Sequence, residues 1–324
     1  MNQLTACSNR YMGRIVPVLF ILSLLLINAA KGQQLKDPDV IGRWDLNVDM
    51  GGGKGFPAWL EVQRSGFHTL IGRFVSDGGS ARPISQVMEK DGKYSFSIPP
   101  QWESGNGNLN MEFEVTGNAI KGTMVSPEGK TYNWTGVRAP SLERTKPVVW
   151  GEPIHLFDGK DTKGWHTDGP NQWVVENGIL RSKKKGANLI SDKTFTDFKI
   201  HVEFRCQKGS NSGVYLRGRY ETQIIDTKNG APEPINNQFS SIYGFLAPNK
   251  MMAKGVGEWQ TYDITLTGRM VTIVANGRMV ICNQVIPGIT GGALDSKEGE
   301  PGPIKIQGDE ATIDYRSIVI TPAR

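Results

Sequence analysis

The sequence has few residues that bind metals or form disulfides, with 3 cysteines and 4 histidines among 324 residues. His155, His166 and His201 show none of the spacings that place two histidines on one metal ion. There is also no glycine-rich loop of the kind that cradles phosphates. The sequence therefore predicts neither a metal site nor a cofactor.

Only one long apolar run occurs, and it lies near the N-terminus. Arg10 and Arg14 precede the apolar stretch 15–27, and Ala30-Lys31-Gly32 has the small residues that a signal peptidase reads. We predict a signal peptide over residues 1–32, with an uncleaved anchor as the alternative. The resulting expectation is an exported protein, periplasmic or extracellular.

The charge of the mature chain is close to neutral. Removing the signal peptide lowers the number of basic residues from 37 to 34, against 32 acidic residues, for a net charge of +2. A near-neutral chain lacks the positive charge that binds nucleic acid, so no nucleic-acid partner is expected. No membrane association is expected after the signal peptide is cleaved. Cys206 and Cys282 remain, and either a disulfide or two free thiols fits an exported protein.

The first half of the mature chain consists of short alternating runs separated by glycine turns, without a helical period. These runs predict a small antiparallel β-barrel-like domain over residues 38–140, followed by a linker over 141–153 that carries Pro147 and Pro153. Asp91-Gly92 is typical of a hairpin turn. The eight predicted strands are Trp44–Val48, Ala58–Gln63, Thr69–Val75, Ile84–Met88, Tyr94–Ile98, Asn110–Val115, Ala119–Val125 and Thr131–Val137.

Residues 154–322 form a second β-rich block. About a dozen short strands with few helix signals favour a two-sheet sandwich of the jelly-roll type. Asn276-Gly277 gives the strongest hairpin signal in the chain, because both residues tolerate the positive φ of a type I′ turn. The predicted fold class is therefore all-β, a small barrel followed by a sandwich.

Three consecutive runs in this block alternate polar and apolar residues. Residues two apart share a face of a strand. Glu203, Arg205, Tyr215, Arg217, Glu221 and Gln223 are therefore predicted to line one face of one sheet, with apolar neighbours such as Phe204 and Leu216 behind them. The pattern predicts a polar cleft on a β scaffold, although a cross-strand ion-pair ladder would produce the same alternation.

The second block resembles the 3-keto-disaccharide hydrolase family, also described as 3-keto-glucoside 1,2-lyase and 3-keto-2-hydroxy-glucal hydratase, over about residues 150–322. The resemblance implies a concanavalin-like jelly roll and exported bacterial carbohydrate metabolism. The motifs that carry it are His155-Leu156-Phe157-Asp158-Gly159-Lys160, Trp173-Val174-Val175-Glu176-Asn177-Gly178, Glu203-Phe204-Arg205, Asn211-Ser212-Gly213-Val214-Tyr215-Leu216-Arg217, Tyr220-Glu221-Thr222-Gln223-Ile224-Ile225-Asp226, Ile242-Tyr243-Gly244 and Pro303-Ile304-Lys305-Ile306-Gln307-Gly308.

The implied activity is cleavage of 3-keto-glycosides by β-elimination and hydration, with hydrolysis as the net result. It needs a base, an acid and a group that stabilises the enolate. We predict Glu203 and Glu221 as base and acid, with Arg205 or Arg217 on the enolate oxygen. The predicted substrate-binding residues are His201, Asn211, Tyr215, Gln223, Tyr243 and Gln307. A sugar 3-dehydrogenase acting earlier in the same pathway is the expected functional partner.

Two alternatives stay open from the sequence. Family members often carry a histidine where this chain has Glu310, which favours a non-catalytic, lectin-like carbohydrate-binding protein. The second alternative is an ordinary glycoside hydrolase of laminarinase-like architecture, but Glu221 and Asp226 are five residues apart and lie on opposite strand faces unless a bulge intervenes. Trp165, Trp173 and Trp259 are candidates for stacking on a sugar ring or for the core.

Overall fold

Eight antiparallel strands close into a barrel in the first half of the chain. The computed structural model describes residues 38–226, 233–308 and 312–324. Large apolar side chains, among them Trp44, Phe74 and Trp134, fill the barrel interior, which is a packed core. The barrel strands are β1 (Gly42–Gly51), β2 (Lys54–Ser65), β3 (Thr69–Val75), β4 (Arg82–Lys90), β5 (Lys93–Ile98), β6 (Leu109–Thr116), β7 (Ala119–Val125) and β8 (Thr131–Arg138).

Thirteen further strands form a two-sheet sandwich. They are β9 (Ile154–Phe157), β10 (Trp165–Thr167), β11 (Trp173–Glu176), β12 (Ile179–Ser182), β13 (Leu189–Phe195), β14 (Phe198–Cys206), β15 (Asn211–Leu216), β16 (Tyr220–Ile225), β17 (Gln260–Thr267), β18 (Met270–Ala275), β19 (Arg278–Val285), β20 (Gly302–Ile306) and β21 (Ile313–Pro322). The five-stranded sheet has the order β10-β13-β20-β15-β16. The eight-stranded sheet has the order β11-β12-β21-β14-β17-β18-β19, with β9 paired to β21. The predicted all-β fold class is confirmed.

The two hairpin turns expected from Asp-Gly and Asn-Gly pairs are confirmed. Asp91 and Gly92 have φ angles of 52° and 78°, and Asn276 and Gly277 have φ angles of 50° and 80°. Each pair joins two neighbouring antiparallel strands, β4 to β5 and β18 to β19. Left-handed φ at both turn residues matches the twist of the flanking strands, which fixes the register of each hairpin.

The barrel and the sandwich belong to one compact unit, Asp39–Arg324. Trp59 of β2 is fully buried, and it belongs to the hydrophobic core of the sandwich rather than to that of the barrel. Its ring meets Phe245 edge-on at 5.7 Å between centroids. A Cβ atom at Gly288 would come within 2.3 Å of Trp59 Nε1, so the loop carrying Gly288 packs directly on the indole.

The two cysteines that the structure describes, Cys206 and Cys282, are free. Cys206 is buried in the sandwich core, where burial raises the pKa of its thiol to about 12, whereas Cys282 is exposed. Of the two possibilities left open by the sequence, two free thiols are therefore found. The register between β18 and β19 shifts beside Cys282, and Asn283 has a φ of 46°, so strand alternation does not hold there.

Two features of the sequence analysis lie outside the described residues. These are the predicted signal peptide over 1–32 and the position of Glu310. Within the described residues, no helix has the length and apolar character needed to cross a membrane.

Candidate active site

The structure divides the polar residues of the three alternating runs between two sheets. Glu203 and Arg205 lie on β14 of the eight-stranded sheet, whereas Tyr215, Glu221 and Gln223 lie on β15 and β16 of the five-stranded sheet. On each strand the apolar partners point into the shared core, so the polar faces point away from each other on opposite sides of the sandwich. The prediction that all six residues line one face is wrong, because alternation fixes the face of a strand but not the sheet to which it pairs.

Glu203 and His201 belong to an ion-pair network on the outer face of the eight-stranded sheet. Glu203 accepts hydrogen bonds from His201 Nε2 at 3.2 Å and from Arg316. Although burial raises the pKa of the Glu203 carboxyl, these bonds outweigh it and lower the pKa below its ordinary value. Burial lowers the pKa of His201, but hydrogen bonds with Asp263 and Glu203 raise it overall. A carboxylate whose pKa is lowered by such hydrogen bonds is a weak base.

Arg205 belongs to the same outer network. Its Nε donates to Asp314 at 2.7 Å, and its guanidinium lies 4.8 Å from the centroid of Trp259. Asp314 also accepts two bonds from Arg181, and the pKa of Asp314 is lowered despite burial because both arginines bind it. Arg205 is thus fixed as part of a cross-strand network on the far side from Glu221.

Arg217 points into the protein interior. Its φ of 54° places it in a left-handed turn after β15, so it does not follow the alternation of the strand. Nη2 donates to Gly268 O at 2.6 Å and to Tyr220 Oη at 3.1 Å, and the residue is 2% exposed. Arg217 therefore contributes to the buried contacts around Glu298 and is not part of the polar face.

The outer face of the five-stranded sheet carries a cluster centred on Glu221. Glu221 stands opposite Tyr215 in the register of β15 and β16, and Tyr215 Oη donates to Glu221 Oε2 at 2.9 Å. Tyr215 Oη also lies 3.0 Å from Gly291 O. Both side chains are nearly fully buried, so the carboxylate is held in one orientation by a neutral donor.

Lys305 completes this cluster from the neighbouring strand. It is opposite Tyr215 in the register of β15 and β20, and its Nζ lies 4.0 Å from the centroid of the Tyr215 ring. Nζ donates to Gly292 O at 2.6 Å. Lys305 was not among the predicted site residues, although its parity with Gln307 in Pro303-Ile304-Lys305-Ile306-Gln307 places both on one face of the strand.

Three predicted binding residues, Asn211, Gln223 and Gln307, border this cluster. Gln223 Nε2 donates to Asn211 Oδ1 at 3.0 Å, and Gln307 N donates to Gly213 O at 3.0 Å. The side-chain oxygens of Gln223 and Gln307 accept no hydrogen bond from any residue that the structure describes. Buried acceptors without donors are rare, so these two oxygens are candidates for accepting hydrogen bonds from the hydroxyl groups of a ligand.

Tyr243 joins the cluster through its backbone. It lies in the turn after residue 240, where its N–H donates to Glu221 O at 3.0 Å, and its side chain is half-buried. The structure thus brings together Asn211, Tyr215, Glu221, Gln223, Tyr243 and Gln307, and separates them from His201, Glu203, Arg205 and Arg217.

The tryptophans considered for sugar stacking lie elsewhere. Trp165 and Trp173 are buried and donate through Nε1 to Leu156 O at 2.6 Å and to Ala187 O at 2.9 Å, so they belong to the core. Trp259 lies on the outer face of the eight-stranded sheet, with Arg205 and Arg316 over its ring. In the part of the chain that the structure describes, no group of three or more His, Cys, Asp or Glu residues could hold a metal ion.

Comparison with known proteins assigns the sandwich to a family. The model of the 3-keto-alpha-glucoside-1,2-lyase-like domain matches residues 152–321, which is more than half of the chain. The chain belongs to this family. The suspected resemblance is confirmed, and the elements that carry the Glu221 cluster all lie inside the matched region of this 3-keto-alpha-glucoside-1,2-lyase-like domain.

Several individual proteins are similar to the chain. A 3-keto-disaccharide hydrolase of Bacteroides thetaiotaomicron is 26% identical over 155 residues, which is 36% of this chain and 53% of that protein, so the chain spans about half the length of this curated relative. A solved structure from Parabacteroides distasonis, described as a glycosyl hydrolase, is 31% identical and covers 55% of this chain and 92% of its own, with a TM-score of 0.46. Another from the same organism is 23% identical and covers 52% and 98%, with a TM-score of 0.42.

Gly213 gives the first test of the cluster. A Cβ atom at this position would lie 2.4 Å from Glu221 Oε1, so Gly213→Ala has to displace the carboxylate. Misplacing a catalytic group by about 1 Å can cost on the order of 100-fold in rate, and we expect a loss of that size in kcat/KM on a 3-keto-glycoside.

Gly169→Ala is the matched control, because its added Cβ meets only Ala187 Cβ at 3.4 Å. Steady-state kinetics of both variants, with urea unfolding to compare their stability, checks the expectation. Wild-type kinetics for a folded Gly213→Ala variant would show that the position of Glu221 is irrelevant to turnover.

Proposed function

We propose that the protein is an exported enzyme that cleaves 3-keto-glycosides by elimination of the aglycone followed by hydration. The observation that carries the proposal is the Glu221 cluster, in which one carboxylate is oriented by Tyr215 beside Lys305 on a sheet face bordered by side-chain amides. Membership of the 3-keto-alpha-glucoside-1,2-lyase-like family supports the same chemistry. A sugar 3-dehydrogenase would supply the keto substrate.

Glu221 is the proposed base. A ketone at sugar carbon 3 acidifies the hydrogen on carbon 2, and the carboxylate removes that proton to give an enolate. The enolate then collapses to a double bond between carbons 1 and 2 while the bond from carbon 1 to the glycosidic oxygen breaks, and the aglycone leaves as an alcohol after protonation. Water adds to carbon 1 and a proton returns to carbon 2, so the overall change is hydrolysis without oxidation or reduction.

Lys305 and Tyr215 are the proposed electrophilic groups. An ammonium and a phenolic O–H close to a carboxylate can stabilise the negative charge that develops on the enolate oxygen, and such donors act most strongly in a site that excludes water. Lys305 takes the role that the sequence analysis gave to Arg205 or Arg217. Gln223 and Gln307 would accept hydrogen bonds from sugar hydroxyls.

The reaction class is tested with paired substrates. The purified protein is incubated with a 3-keto-glucoside and with its unoxidised parent. Product from the keto sugar alone supports the proposal. Cleavage of both sugars indicates ordinary glycoside hydrolysis, and binding without turnover indicates a lectin-like protein.

Reaction in D₂O separates elimination from direct hydrolysis. Elimination and hydration place solvent deuterium on carbon 2 of the sugar product, whereas direct hydrolysis leaves that hydrogen in place. The control is the keto product incubated without enzyme, which measures spontaneous exchange.

Mass spectrometry of the protein from a bacterial periplasm tests export, for which a mature chain beginning at Gln33 is expected.

A further inference from the structure

Two consecutive backbone carbonyl groups hold the donors of the Glu221 cluster. They belong to Gly291 and Gly292, in the loop between β19 and β20, and this pair is called the carbonyl strip. The carbonyl of Gly291 accepts from Tyr215 Oη at 3.0 Å, and that of Gly292 accepts from Lys305 Nζ at 2.6 Å. Both donors are buried. The positions of the phenol and of the ammonium therefore depend on where the carbonyl strip lies.

The carbonyl strip packs directly against the barrel. Gly292 N donates to Asp77 O at 2.7 Å. A Cβ atom at Gly291 would lie 2.6 Å from Gly79 O and 2.9 Å from Gly79 N. These are contacts with main-chain atoms, which cannot rotate aside as the end of a side chain can. The strip is thus packed between the barrel segment 77–79 and the two donors.

The next residues of the barrel contact a second loop beside the cluster. A Cβ atom at Gly244 would lie 2.9 Å from Ser80 Cα. The preceding residue, Tyr243, donates its N–H to Glu221 O at 3.0 Å. The barrel segment 77–81 therefore contacts both the loop that holds the two donors and the loop that is hydrogen-bonded to the strand of the proposed base.

This barrel segment is supported from within the barrel. Gln101 Oε1 accepts the N–H of Ser80 at 3.0 Å, and Glu103 Oε2 accepts the N–H of Gln101 at 2.9 Å. Glu103 is paired with Arg82 at 2.9 Å, and both side chains are less than 10% exposed. A charge pair that is largely removed from water holds its geometry more firmly than an exposed one. The segment is thus a fixed support for the carbonyl strip.

We propose that barrel residues 77–81 are positioning residues for the elimination reaction, and that they hold Tyr215 and Lys305 beside Glu221 through the carbonyl strip. This inference rests on the proposed function. Donors stabilise a developing enolate best when they are already oriented, because no reorganisation is then needed during the reaction. The barrel is therefore needed for turnover without a barrel side chain taking part in the chemistry.

Gly291→Ala tests the contact between the strip and the barrel. Gly291 does not have a left-handed φ, so alanine can adopt its backbone conformation, but the added methyl group has to push against the main chain of Gly79. We expect kcat on methyl 3-keto-glucoside to fall about tenfold and KM to stay within about twofold, since the lost interactions act mainly in the transition state.

Gly299→Ala is the matched control in the same loop. Its added Cβ would meet Pro140 Cγ at 3.5 Å, an ordinary contact, so this variant should keep wild-type kinetics. Urea unfolding of both variants separates positioning from stability. A Gly291→Ala protein that is less stable but keeps the wild-type kcat would overturn the inference, because the contact with the barrel would then serve only the fold.

A change on the barrel side shows whether the effect passes through the barrel. Gln101→Ala removes the acceptor for Ser80 N and leaves the sandwich unaltered. We expect kcat to fall about threefold, at the lower end of the coupling between residues in contact. In a Gly291→Ala background the same change should have no further effect, because the contact is already lost. Effects that multiply in the double variant would show that the strip is held without the barrel.

Failure of the proposed function is recognised separately, as wild-type protein that converts no keto sugar. Chemical labelling then tests the positioning directly. Lys305 is 5% exposed, and its acetylation by acetic anhydride is followed by mass spectrometry of peptides. Labelling of Lys305 that is several-fold faster in Gly291→Ala than in Gly299→Ala supports positioning by the barrel. Equal labelling rates in the two variants refute it.

Discussion

Replacing Glu221 with glutamine is expected to reduce kcat on a 3-keto-glycoside by about 1000-fold or more, within the range of about 100- to 10,000-fold typical of a general base. Glutamine keeps an acceptor for the Tyr215 hydroxyl, which lies 2.9 Å from Glu221 Oε2, so the fold should be preserved. What is lost is the ability to take the proton from carbon 2. Binding of substrate should weaken far less than turnover, because the amide retains the shape of the carboxylate.

Glu203→Gln is the informative comparison. Glu203 lies on the opposite face of the sandwich and is already paired with His201 and Arg316, so this variant should keep near wild-type kinetics. Rapid-mixing assays of both variants at saturating substrate give kcat directly. Full activity in Glu221→Gln together with inactivity in Glu203→Gln would move the catalytic face to the eight-stranded sheet and overturn the assignment.

The second large effect is expected at Asp45, where the barrel meets the sandwich. Asp45 is 4% exposed, and burial, together with the neighbouring Glu298 carboxylate, raises its pKa to about 9 despite the cations Arg269 and Arg219. Glu298 is itself fully buried and accepts from Tyr220 Oη at 2.6 Å and Arg269 Nε at 3.1 Å. Asp45 is therefore protonated at neutral pH, next to an acceptor that belongs to the sandwich.

The sign of the pH dependence follows from the two pKa values. Unfolded Asp45 titrates near 3.8 and folded Asp45 near 9, so the folded state holds one more proton throughout this interval. The free energy of unfolding then falls as the pH rises, by up to about 1.4 kcal/mol per pH unit from this group. Above pH 9 the contribution no longer changes.

Asp45→Asn removes this dependence because the amide resembles a protonated carboxyl and does not titrate. The variant should match wild type near pH 4 and be more stable by about 2 kcal/mol or more at pH 8.5. Urea unfolding of full-length protein at several pH values from 4 to 9 measures the difference. Asp49→Asn, an exposed position on the same strand that caps Gly51 N at 2.7 Å, is the control and should show no such trend. Parallel pH profiles for wild type and Asp45→Asn would show that Asp45 is ionised in the folded protein.

The positions of the strands could be predicted from the sequence, but the sheet to which each strand pairs could not. The eight barrel strands follow from alternation and from turns such as Asp91-Gly92, since both depend on neighbouring residues. The sheet to which a strand pairs is set by contacts between distant segments, so the pattern could not show that Glu203 and Glu221 face opposite ways. The prediction for Arg217 was wrong for a local reason. Its backbone is left-handed, which non-glycine residues seldom adopt, and this conformation interrupts the alternation of the strand.

The candidate site was predicted in part. Tyr215, Glu221 and Gln223 were identified from parity within β15 and β16, and this local relation holds. Lys305 was missed because it lies outside the three alternating runs, on the strand that ends at Ile306.

The position of Trp59 limits how the chain can be shortened. The indole belongs to a barrel strand, but it packs between Phe245 and Gly288 of the sandwich. Cutting the chain at residues 141–153 would remove the Trp59 side chain from the sandwich core and expose an apolar cavity of tryptophan size to water. A truncated protein that keeps only the matched family region is then expected to misfold. The sandwich matches a family by itself, but it does not fold independently of the barrel.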